Sequence, residues 1–138
     1  MSDWRSSNGQ VLASAPPLAE KAFRQADIPA VRRFATVFGA RAGMGTARLA
    51  DFVLAVSESA ACATCRGPCT ATLRLWMTGS RVLCEIRGDG VLSGQGPGGV
   101  QQGDAEVLRR WLLRQVCDYV FLESGPHGVT VRFSMAAS

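Results

Sequence analysis

The first β-hairpin is predicted by two alternating runs of apolar and polar residues, at positions 70–77 (TATLRLWM) and 81–88 (RVLCEIRG). Side chains alternate between the two faces of a strand, and the Gly-containing stretch between the runs is typical of a tight turn. One face of this hairpin should therefore be buried, and it carries Leu73, Leu75 and Met77 opposite Val82, Cys84 and Ile86.

A second hairpin is predicted at the C-terminal end, where YVFLES (119–124) and GVTVRFSM (128–135) flank the turn-forming residues 125–128. Upstream, EKAFRQAD (20–27) alternates enough to form a first strand at a sheet edge. The preceding residues 1–18 are rich in Ser, Gly and Pro without an apolar period, which predicts a flexible leader.

Helical spacing of apolar residues predicts three helices. The first two cover residues 27–44 and 46–66, with Asp27 and Thr46 as their N-caps, and the third begins at Asp104 after a glycine-rich loop. The order of elements favours an α+β fold, a two-layer sandwich in which three helices cover one face of a mixed, mostly antiparallel sheet. We expect residues 19–138 to form this single domain.

Charge and composition narrow the class of protein. The net charge of +4 comes almost entirely from arginine, with Lys21 the only lysine, and the only tight basic cluster is Arg109–Arg110. A nucleic-acid partner is therefore not expected. No signal peptide and no run of about 20 apolar residues is found, so a cytoplasmic protein without a membrane span is predicted.

The chain resembles the bacterial anti-sigma factor serine kinases of the GHKL ATPase superfamily in three segments. These are DFVLAVSESAACATCRG (51–67), RVLCEIRGDG (81–90) and WLLRQVCDYVFLESGPHGVTVRF (111–133). The resemblance covers nearly everything after the leader and is most specific in the third segment. It implies a Bergerat-type sandwich that holds ATP and Mg²⁺ between the helices and the long loop, and phosphorylates a serine of an anti-anti-sigma (STAS-type) partner.

Several positions depart from the motifs that the resemblance implies. Glu58 stands where family members carry the acidic residue that orients or deprotonates the attacking hydroxyl, but Cys62 replaces the asparagine that holds Mg²⁺, and a thiol is a poor ligand for this hard ion. The adenine-reading carboxylate is displaced by one residue to Asp89, beside Gly90. A shift of one residue along a strand end turns the side chain to the opposite face.

The phosphate-binding motif also differs. Val107 and Arg109 occupy the positions where family members have two glycines that let backbone N–H groups approach phosphates, whereas Thr130 matches a minor nucleotide contact. Damage to three motifs predicts a pseudo-kinase without ATP turnover and with no cofactor, in which Glu58 is a relic. The alternative is an active ATP- and Mg²⁺-dependent serine kinase that uses Glu58 as its base.

The partner candidates lie on two surfaces. Arg32 and Arg33 are on the first helix, which the resemblance implies contacts a sigma factor, and alternation places Arg74 and Trp76 on the sheet face that the helices leave open. Aromatic and arginine side chains exposed there would mark an interface, for a partner or for the homodimer that the resemblance implies. The alternatives are that the leader, with Trp4, folds back over the sheet, or that these are scattered exposed aromatics without a role.

The five cysteines leave a third hypothesis, a thiol or metal sensor, because Cys62 and Cys65 fall on one predicted helical face with Cys69 beyond it. Zinc needs about four ligands, and no second CxxC is present, so reduced and metal-free thiols are expected. His127, the only histidine, is interpreted as a turn residue.

Overall fold

The computed structural model describes residues 15–64, 69–88, 99–125 and 128–138, with the backbone alone for 99–107. In chain order the elements are β1 (Ala19–Phe23), a short 3-10 turn, α1 (Ile28–Arg41), α2 (Thr46–Ala63), β2 (Ala71–Thr78), β3 (Arg81–Gly88), α3 (Gly99–Val116), β4 (Tyr119–Gly125) and β5 (Gly128–Ala136).

The strands form one five-stranded sheet in the order β1-β2-β3-β5-β4. A mixed, mostly antiparallel sheet was expected, and all four pairings between the described strands are antiparallel. Both predicted hairpins are present, β2–β3 and β4–β5, and the first turns at Gly79, whose φ of 60° favours glycine. The fold class is therefore α+β, as predicted.

The core lies between the three helices and one face of the sheet. Cross-strand pairs Leu73–Ile86, Leu75–Cys84 and Met77–Val82 stand on this face, which confirms the predicted burial pattern. Phe52 of α2 occupies its centre, with its ring 6.2 Å from the Phe133 ring of β5 in an edge-on arrangement. Burial of this apolar area supplies most of the stabilisation, at about 25 cal/mol per Å².

The predicted start of the second helix at residue 46 is confirmed, but two of the predicted N-caps, Thr46 and Asp104, are wrong. Gly45, in an extended conformation, is the N-cap of α2, so that Thr46 is already its first helical residue. The third helix begins at Gly99, upstream of the predicted cap Asp104. Glycine is a poor helix former, but this preference is weak enough for neighbouring structure to override. The start of α1, with Asp27 as the N-cap residue, is confirmed.

No helix among the described residues is both long and apolar enough to cross a membrane.

Candidate functional site

Glu58 lies in the helical layer and forms an ion pair with Arg109. Its Oε1 atom is 3.6 Å from Arg109 Nε, which joins α2 to α3, and the two side chains are 31 % and 28 % exposed. A pair with this access to water contributes about 1 kcal/mol or less to stability. The pair brings the carboxylate that the sequence singled out as a base against Arg109, which stands where the resemblance implies a phosphate-approach glycine.

Cys62 is buried in the core. The helix that contains it ends at Ala63, with Thr64 as the C-cap. This corrects the predicted extension of the helix to residue 66, on which the shared helical face of Cys62 and Cys65 depended. Cys65 itself lies outside the described residues.

The end of α2 sits directly on the end of β3. A Cβ atom added to Gly88 would overlap the carbonyl oxygen of Ala63 and lie 3.2 Å from the Ala63 Cβ. No space for even a methyl group is left at this contact, one residue before the predicted adenine-reading segment. Asp89 and Gly90 of that segment lie outside the described residues, and so do the side chain of Val107 and all of His127.

The structure places Thr130 on the face of the sheet opposite the helices. Its cross-strand neighbours are Arg87 and Glu123, whereas Val129 and Val131 on either side of it belong to the core. Thr130 borders a hollow of about 530 Å³ on that face. Glu58 and Thr130 are therefore not brought together.

Glu85 organises the sheet face without helices. Its side chain is 2 % exposed, and its oxygens lie 3.4 Å from Arg74 Nη1, 3.5 Å from Arg87 Nη2 and 3.0 Å from Arg132 Nε. Arg74 also contacts Glu20 at 2.7 Å, and this hydrogen bond raises the pKa of Arg74 against the opposing effect of desolvation. A network of ion pairs therefore connects the side chains of this face. The alternation of apolar and polar residues in the sequence did not reveal it.

Trp76 lies on this face, but the prediction that it is exposed there is wrong. It is 3 % exposed and packs on Leu83, with Ala15 and Tyr119 beside them. Its indole Nε1 donates a hydrogen bond to the Ala15 carbonyl at 3.1 Å. Residues 15–18, which the sequence assigned to the leader, run along the sheet, and the Leu18 amide donates to the Leu75 carbonyl.

The two arginines of α1 have different surroundings. Arg32 Nε donates to Ser57 Oγ at 3.0 Å and so ties α1 to α2. Arg33 instead lines a groove of about 650 Å³ between α1 and β1. The groove also contains Lys21 and Arg41, which the sequence analysis did not select. Arg41 could have been identified from the sequence, because it lies eight residues after Arg33 and therefore falls on the same side of the helix.

The remaining thiols are protected by their surroundings. Burial raises the pKa of the Cys84 thiol well above its ordinary value. Burial and then the charge of Asp118 raise the pKa of Cys117 to about 12, although Arg48 opposes the shift. Within the described ranges no three His, Cys, Asp or Glu side chains are grouped as metal ligands would be.

Comparison with known proteins adds no assignment. No family model matches the chain, and no curated protein matches it.

Proposed function

We propose that this chain is a cytoplasmic regulatory protein of the anti-sigma-factor type that acts by binding a protein partner, without ATP turnover. The partner class is a sigma factor or an anti-anti-sigma (STAS-type) protein. The observation that carries the proposal is the Glu58–Arg109 ion pair, in which the candidate base is engaged by a cation from the neighbouring helix.

A general base must be within hydrogen-bond reach of the hydroxyl that it deprotonates, at about 2.6–3.2 Å. Glu58 is directed to Arg109 instead, with 3.6 Å between its Oε1 atom and Arg109 Nε. The other retained or replaced positions support the same conclusion. Cys62 offers a buried thiol instead of an oxygen ligand, and Thr130 is on the far face of the sheet.

Titration calorimetry with ATP and Mg²⁺ tests the absence of nucleotide binding. We expect no heat of binding at millimolar nucleotide, and no shift of the unfolding temperature, since a ligand at 100 times its Kd would add about 2.7 kcal/mol to the free energy of unfolding. Arg109→Gly tests the role of the ion pair, because it removes the contact with Glu58. Arg110→Gly is its matched control, because it also places a glycine in α3 but leaves that contact in place. Micromolar binding by the wild-type chain would contradict the proposal and favour the kinase.

The partner class has its own test. Affinity purification of the tagged full chain from its native host, quantified by mass spectrometry, should enrich a sigma factor or a STAS-type protein over a tag-only control. If neither class is enriched while another protein is retained in stoichiometric amount, the anti-sigma assignment is wrong even if the chain binds no nucleotide.

A further inference from the structure

The groove beside α1 combines an apolar floor with a basic rim. One outward-facing stripe of α1 forms a wall, and β1, Leu18 and Met77 complete the lining. Leu18 is 67 % exposed and Val37 51 % exposed, so large apolar side chains face the solvent here. An exposed apolar patch bounded by polar groups is typical of a protein-binding surface.

The charge of the rim is of one sign. Lys21, Arg33 and Arg41 line the groove, and no carboxylate is among the lining residues that the structure describes. Lys21 Nζ lies 5.9 Å from the centre of the Phe34 ring, which places this ammonium group over the apolar floor. Such a surface attracts acidic groups and repels basic ones.

The position of the groove in the fold suggests the shape of its occupant. Among the described strands β1 is one of the two edges of the sheet, paired with β2 alone, and α1 packs against it. The lining stripe runs along α1 from Ala30 to Arg41. At 1.5 Å per residue this is about 16 Å, or three turns of a helix lying alongside.

We infer that the groove docks an amphipathic helix of a partner protein, with apolar residues on one face and acidic residues flanking that face. The inference rests on the proposed function as a binding protein and locates the surface that it uses. Helix-in-groove recognition of this kind depends on apolar anchors for affinity and on flanking charge for selection.

Two other occupants fit less well. A second copy of the chain, docked groove to groove, would bring Lys21, Arg33 and Arg41 against the same three cations. Of the N-terminal segment, the described residue Ala15 lies outside the groove, because it contacts Trp76 on the sheet face opposite the helices.

Fluorescence anisotropy with a designed peptide tests the inference on the full-length chain. The probe is a labelled, helix-stabilised peptide of about four turns with leucines on one face and glutamates on both flanks, and its counterpart has lysines in place of the glutamates. We expect saturable binding of the acidic probe only. Binding should weaken at least about tenfold in Arg33→Glu and in Val37→Asp, and also when salt is raised from about 0.05 M to about 0.5 M.

Arg114→Glu is the matched control, since it makes the same charge change at an exposed position of α3 outside the groove. It should leave probe binding within about twofold of wild type. The inference is overturned if the wild-type chain does not bind the acidic probe, or if Arg33→Glu and Val37→Asp bind it as tightly as Arg114→Glu does. Sedimentation showing a dimer that Val37→Asp dissociates would assign the groove to a second copy instead. ATP binding would remove the pseudo-kinase proposal without altering any of these results.

Discussion

Glu85 illustrates how a single residue can organise a whole surface. Sequence alternation placed Arg74 on the helix-free face but could not identify its partner, because cross-strand contacts depend on the register of β2, β3 and β5. The register sets Glu85 between Arg74 and Arg132. Three arginines surround its side chain, so a carboxylate is buried on a face that none of the described helices covers.

The Glu85 network makes a prediction about stability. Glu85→Gln should lower the free energy of unfolding by about 2 kcal/mol, because it leaves three guanidinium groups close together without their shared anion, although each retains some access to water. Glu20→Gln is the matched control, since Glu20 also binds Arg74 but is 49 % exposed. It should change stability by about 0.5 kcal/mol or less. Urea unfolding measures both, and equal effects would contradict the buried role of Glu85.

Cys117 predicts a dependence of stability on pH. Burial, and then the charge of Asp118, raise its pKa from 9.0 to about 12, so the folded chain keeps this proton where the unfolded chain loses it. The free energy of unfolding should therefore fall as pH rises through this window. In Cys117→Ala the fall between about pH 8 and about pH 10.5 should be smaller than in wild type. Urea unfolding at the two pH values checks this, and an equal fall in wild type and Cys117→Ala would argue against the raised pKa of this partly buried thiol.

At the scale of the elements, alternation and periodicity identified both hairpins and all three helices, because apolar burial dominates their placement. The ends of the helices were less predictable. Thr46 and Asp104 are good capping residues by type, but α2 starts after Gly45 and α3 starts at Gly99. Cap preferences amount to about 1 kcal/mol, which the packing of a helix on its neighbours can exceed.

The contact between α2 and β3 could not be anticipated from either element alone. The strand carries glycine at position 88, where the carbonyl of Ala63 closes against it. Which glycine of a chain is needed for a close approach depends on the packing of two elements that are distant in sequence. This contact lies at Gly88, one residue before the predicted nucleotide motif, and it could not be read from the sequence, so the candidate site was only partly predictable.

Gly88→Ala tests this contact. The added methyl group must displace the end of α2 from the sheet, and overpacking of this kind costs about 1–3 kcal/mol. Gly125→Ala is the matched control, because Gly125 also ends a strand and an added Cβ would have no atom within 4 Å. It should be within about 0.5 kcal/mol of wild type. Equal unfolding midpoints in urea would show that the two elements are less tightly joined than described.

At the scale of the whole molecule, the two sides of the sheet differ in the apolar and charged side chains that they expose to solvent. The helix-free face was predicted to expose aromatic residues, but Trp76 is buried there against Leu83, and the arginines beside it are paired with carboxylates. On the helical side, the groove at the β1 edge exposes apolar residues between three cationic side chains. The lining residues that the structure describes include no carboxylate to neutralise them. The balance of exposed apolar area and uncompensated charge therefore favours the α1–β1 groove as the binding surface.

A pair of tryptophans tests whether Trp76 acts in the fold or in an interface. Trp76 is 3 % exposed, whereas Trp111 on α3 is 58 % exposed. Trp76→Ala should lower the free energy of unfolding by about 3–5 kcal/mol, because it opens a cavity over Leu83 and removes the hydrogen bond to Ala15. Trp111→Ala should change it by about 0.5 kcal/mol or less. Urea unfolding and sedimentation of both variants make the comparison. A Trp76→Ala chain as stable as wild type that has lost self-association or partner binding would return the helix-free face to the mechanism, because its tryptophan would then act in an interface and not in the fold.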